Sequence, residues 1–71
     1  MRYGLVLKHY IEKAGISNAE LARRVGIGRS QITDWIKGTT KEPGLTRAKQ
    51  IADALGVDLN EMLDMMFGDE D

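Results

Sequence analysis

The segment from Ser17 to Gly38, SNAELARRVGIGRSQITDWIKG, constrains this chain more tightly than any other. It holds two short apolar stripes, separated by too few residues for anything but a turn. Ser17 and Glu20 stand as S-x-x-E. That spacing predicts a capping box, in which the serine hydroxyl accepts from an amide of the first turn and the carboxylate reaches back. Leu21, Ala22 and Val25 then form a narrow apolar stripe. Gly26 is expected to end this helix, because positive φ costs glycine little. Ile27 plugs the turn, and Gly28 is a tolerable, weak N-cap. Ile32, Trp35 and Ile36 give a second stripe, stopped by Gly38, so the spacing predicts a second helix over about Arg29 to Lys37.

The flanking stretches continue the helical pattern. Tyr3, Leu7, Tyr10, Ile11 and Ala14 share one face of a first helix over Tyr3 to Ala14, with Lys8, Glu12 and Lys13 largely on the other. Gly15 ends it, and Ile16 is placed as a staple before the Ser17 cap. Thr39 to Gly44 reads as the one real loop, holding two threonines, Lys41 and the single proline, Pro43. Leu45, Ala48, Ile51, Ala52 and Leu55 form a fourth stripe closed by Gly56. Asp58 and Glu61 are an acidic version of the capping box for a fifth helix, whose stripe is Leu59, Met62, Leu63 and Met66. No segment alternates with period two, so no sheet is expected. The pattern predicts an all-α domain of five helices over residues 1–67, followed by a frayed acidic tail at 68–71.

Seventy-one residues suffice for one small domain with a modest core. There is no cysteine, which removes disulfide staples and thiolate metal sites. No apolar run approaches the roughly 20 residues that span a bilayer. Met1-Arg2 lead straight into a helical pattern rather than a signal peptide, so a soluble cytoplasmic protein without membrane contact is expected. The net charge of -1 hides a segregation. Positions 1–57 carry ten basic and five acidic residues, a balance of +5, whereas Asp58 to Asp71 carry six acidic and none basic. The basic part can approach a polyanion that the acidic end would avoid. Catalysis has no residues to stand on: no nucleophile sits with a histidine base, and no glycine-rich phosphate loop follows a strand. His9, the only histidine, reads as a solvated residue, so no enzyme, metal or cofactor is expected.

Two short amphipathic helices joined by a tight glycine turn match the helix-turn-helix, whose second helix enters the major groove of DNA. From about residue 4 to 63 the chain resembles the lambda repressor and Cro family, also called the Xre family. LARRVGIGRSQITDWIKG and KEPGLTRAKQIADALGVDLNEML carry the likeness. The resemblance implies five helices with the second and third as the motif, double-stranded DNA as partner, and a homodimer on a two-fold site. It also implies a phage or prokaryotic regulator; no effector domain is expected to fit in seventy-one residues and no small-molecule effector is implied, so repression is expected to act by occupying an operator. The chain departs from the family pattern in four places. Asn18 stands where glutamine is common, and Gly28 where serine or threonine is common. Ile36 and Ile11 stand where a glutamate often pairs with an arginine, so an apolar contact is expected there, free of two desolvation penalties. Asp34 falls where related proteins often read a base.

On that reading Arg29, Ser30, Thr33 and Asp34 face bases, since arginine can donate twice to guanine and aspartate can accept from the cytosine amino group. The competing reading is a solvated helix face, with Asp34 offset by Lys37 at i+3. Asn18, Arg23, Gln31, Lys37, Thr39, Thr40 and Lys41 are the candidate phosphate holders, Asn18 also using the positive end of its helix. Trp35 shares the stripe of Ile32, which favours core over base stacking. Met62 and Met66 read as core or dimer surface, whereas Met65 and Phe67 fall off the stripe as an apolar patch for a partner to cover. Together these four are the dimer candidates. A different class stays open: a helix-turn-helix-fold module that docks a protein, such as an antirepressor or antitoxin subunit. Asp34, the acidic end and a pI of about 5.7 favour it, while Arg29, Lys37 and Lys41 do not.

Overall fold

A computed structural model describes residues 2–68. Five helices follow one another: α1 (Tyr3–Ala14), α2 (Asn18–Val25), α3 (Arg29–Lys37), α4 (Leu45–Leu55) and α5 (Leu59–Phe67). No strand occurs among the described residues. Of the expected acidic tail, only Gly68 lies within them.

The helix ends follow the local chemistry. Ser17 Oγ accepts from the Glu20 amide at 3.0 Å and starts α2. The other half of that capping box does not form: the Glu20 carboxylate accepts from Arg23 and, at 2.9 Å, from Arg24. Charge-assisted bonds to two guanidinium groups outweigh one to a neutral backbone amide. The cap of α5 is likewise one-sided and shifted, with Asp58 Oδ1 accepting from the Asn60 amide at 2.9 Å. The Glu61 amide instead donates to the Asp58 carbonyl at 3.0 Å. Gly26 makes the turn between α2 and α3 at φ 87°, and the amides of Gly26 and Ile27 converge on the Ala22 carbonyl at 2.8 and 2.9 Å. Gly28 then enters α3 extended, with no side-chain cap.

The core is built from Tyr3, Val6, Leu7, Tyr10 and Ile11 of α1 against Leu21, Ala22, Ile32, Trp35, Ile51, Ala52, Leu55 and Met62. Two ends of the expected stripes are not part of it. Ala14 is exposed at the last turn of α1, and Leu45 is 73% exposed at the start of α4. Periodicity defines a face but not how far along it the neighbouring helices reach. Val6 is buried although the stripe omitted it. Because α1 packs against α3, α4 and α5, a wider arc of its surface is covered. Ile11 is buried in the core, and Ile36 packs, partly buried, against the same cluster.

The crossing of α1 over α3 positions the motif. A methyl group built on Gly4 would run into the carbonyl oxygens of Trp35 and Ile36. The two backbones therefore touch directly, and α3 is held at a separation that only glycine permits. Trp35, buried, donates from Nε1 to the Lys41 carbonyl at 3.0 Å and ties the following loop to the core.

Candidate nucleic-acid interface

With Ile32 and Trp35 turned inward, α3 presents its polar residues outward. Arg29, Ser30, Thr33, Asp34 and Lys37 line one shallow depression along its length. Arg29, Ser30 and Lys37 are exposed, while Thr33 and Asp34 are half-buried. The Thr33 hydroxyl donates to the Arg29 carbonyl at 3.2 Å. The Asp34 carboxylate accepts from Thr39 Oγ1 at 3.4 Å and, among the described residues, forms no ion pair, so the expected offset by Lys37 is not seen. Arg29 and Lys37 have no acidic side chain against them among the described residues. The face thus offers free donors at both ends and one carboxylate acceptor between them.

The phosphate candidates separate into two groups. Lys37, Thr39, Thr40 and Lys41 are exposed and run from the last turn of α3 into the loop that Trp35 anchors. Asn18 and Gln31 are half-buried, Asn18 opening α2. Arg23 is exposed but engaged by Glu20. Hydrogen bonds from Arg24 and then Arg23 hold the Glu20 carboxyl below the usual carboxylate range. Arg24 also donates to the Ala54 carbonyl at 3.2 Å. Arg23 therefore brings less free charge to the surface than Lys37 or Lys41.

Sequence reasoning missed Arg2. Its Nη1 donates to the Lys37 carbonyl at 3.2 Å, and its guanidinium occupies the space that a side chain on Gly38 would fill. Gly38 has φ 77°, so glycine is needed there for conformation and for room alike. No periodicity links positions 35 residues apart; a glycine that must also accommodate a neighbour is invisible without the fold.

The dimer candidates do not behave alike. Met62 is fully buried within the chain, which favours the core over the dimer surface among the two readings open for it. Met65, expected off the stripe, is partly buried and packs on the core, as does Met66. Phe67 is 59% exposed. With Leu45, Leu59 and Leu63 it lines an apolar groove of about 220 Å³ between the start of α4 and the end of α5.

A compact all-α fold whose second and third helices meet at a glycine turn, with the third presenting free cations, defines a helix-turn-helix protein. Residues 7–62 match the helix-turn-helix family, and the chain belongs to it. Its fold is that of SinR, which is described as the master regulator for biofilm formation in a crystal structure in complex with DNA. The two share 24% identity at a TM-score of 0.79, over 87% of this chain and 98% of that one. In a SinR protein/SinI protein complex the similar chain again shares 24% identity at a TM-score of 0.79, over 96% of this chain and 66% of that one. No curated protein sequence matches.

Proposed function

We propose that the protein is a sequence-specific DNA-binding transcriptional regulator of phage or prokaryotic type, which represses by occupying its operator. α3 enters the major groove. Arg29, Ser30, Thr33 and Asp34 read base edges, while Asn18, Lys37, Thr39, Thr40 and Lys41 hold phosphates. The observation that carries this reading is the outward face of α3, where Arg29 and Lys37 stand exposed and, among the described residues, form no ion pair, beside an exposed, threonine- and lysine-bearing loop. The likeness of the fold to a protein solved with DNA supports it. One helix-turn-helix contacts few base pairs, so the working unit is a homodimer with recognition helices about 34–36 Å apart. Its contact uses Phe67, with Met65, Met66 and Leu45 around it.

The test contrasts a reader with a holder. Arg29→Ala is expected to cost about 1–3 kcal/mol on the preferred duplex and to flatten preference at one base pair. Lys41→Ala is expected to weaken preferred and random duplexes alike and to lower the salt slope by about one. Both changes remove one positive charge. Equal losses on both duplexes for both variants would mean that α3 does not read bases.

A second reading is a module that docks a protein. Asp34 in the centre of the α3 face and the acidic residues Asp58, Glu61 and Asp64 favour it, and one similar structure is a complex between proteins. Absence of binding to any duplex at low salt would select this reading over the first.

A further inference from the structure

We infer that Arg2 is a phosphate-holding residue of the DNA interface, completing with Lys37 and Lys41 a basic row fixed to the last turn of α3. The inference rests on the DNA-binding reading above. Each member is tied to that turn by a separate contact. Lys37 is the last residue of α3 itself. Lys41 is held by its carbonyl, which accepts from Trp35 Nε1 at 3.0 Å. Arg2 is held by its side chain, through the bond from Nη1 to the Lys37 carbonyl at 3.2 Å.

That bond uses one of the five N–H donors of a guanidinium. Arg2 is exposed and, among the described residues, meets no carboxylate. Its remaining donors are therefore available to an anion with two acceptor oxygens side by side, the geometry of a phosphate diester. Ordering a long side chain normally opposes such a contact. Here the chain itself supplies the order, because the missing side chain of Gly38 leaves a seat for the guanidinium and the Lys37 carbonyl fixes it there. The charge inventory supports the same assignment. Arg23 and Arg24 share Glu20 and Lys49 is paired with Asp53, while Arg2, Lys37 and Lys41 meet no carboxylate among the described residues and share one end of the recognition helix. The competing explanation is a helix cap: a cation at the negative end of α3 is favourable without any ligand.

Salt dependence separates the two. Duplex binding is titrated over a range of salt concentrations for the wild type, Arg2→Gln and Arg2→Lys, on a selected preferred site and on random duplex, with thermal unfolding of each variant alongside. The expected result for Arg2→Gln is a salt slope lower by about one and an affinity about five- to tenfold lower near 0.1 M salt, equally on both duplexes. Arg2→Lys should restore most of the slope. A lower melting temperature with an unchanged slope would leave Arg2 as a cap and overturn the inference. If the wild type itself binds no duplex at low salt, the DNA-binding reading fails first, and the inference with it.

Discussion

Tyr3 carries an uncompensated group inside the core. Its hydroxyl is buried and finds no hydrogen-bond partner among the described residues. Burial, and then the nearby Glu42 carboxylate, push its ionisation well above the ordinary value of 10.0. An unmet buried hydroxyl costs about 1–3 kcal/mol, so Tyr3→Phe is expected to leave stability unchanged or raise it, by about 1 kcal/mol at most, in urea unfolding. The pH dependence has a definite sign. With the folded-state value raised, the contribution is fully present below the unfolded-state value and is lost as pH rises through the folded one, because the unfolded chain releases this proton first. Wild-type stability should fall more steeply than that of Tyr3→Phe above pH about 10. Parallel curves would place the phenol in contact with water. Single residues were unevenly legible in the sequence. Trp35 could be assigned to the core because it shares a stripe with Ile32, yet its bond to Lys41 crosses a loop whose path no periodicity describes. Arg2 carried no local signal at all, since its partner is 35 positions away.

At the scale of the elements, the helix bounds were legible because they are written in local chemistry. Ser17 and Asp58 start helices with their own side chains, and Gly26, Gly38 and Gly56 stop them in the left-handed region. What stripes do not encode is the separation of packed helices. Gly4 is the second residue of α1, where alanine would raise helix propensity by up to about 1 kcal/mol. The carbonyl oxygens of Trp35 and Ile36 leave no room for the methyl. Gly4→Ala is therefore expected to destabilise the domain by about 1–3 kcal/mol net, because backbone atoms cannot swing aside as a side chain can. Thermal unfolding measures it, and a melting temperature at or above that of the wild type would mean that α1 and α3 slide apart at little cost. The same variant displaces α3 and should weaken duplex binding more than any change confined to the exposed side of α1.

For the whole molecule, the candidate DNA-binding face and the apolar groove lie on different helices. Exposed cations gather at α3 and its loop, whereas Leu45, Leu63 and Phe67 line an apolar groove whose one acidic lining residue, among the described residues, is Glu42. If that groove is the homodimer surface, sedimentation at micromolar concentration should give a dimer, and Leu45→Ser with Phe67→Ser should give a folded monomer. A wild type that sediments as a monomer both with and without DNA would remove the proposed dimer. The surface was only partly legible in the sequence. Leu45 shared the stripe of α4 yet is exposed, and of the two readings open for Met62, core or dimer surface, its burial favours the core. Helical period identifies apolar positions, but which of them the chain itself covers depends on where the ends of α4 and α5 lie against α1.

The direct contact between Gly4 and the backbone of α3 bears on how such a regulator can diverge. Main-chain carbonyls are common to every amino acid, so the posture of α3 is largely indifferent to which side chains it displays. Ile32 and Trp35 hold its inner side. Arg29, Ser30 and Lys37 are exposed and take no part in the core. Duplicated copies can thus acquire new target sites by exchanging outward residues one at a time, each intermediate remaining folded, so that insulation of one regulatory circuit from another can evolve without a detour through unstable ancestors.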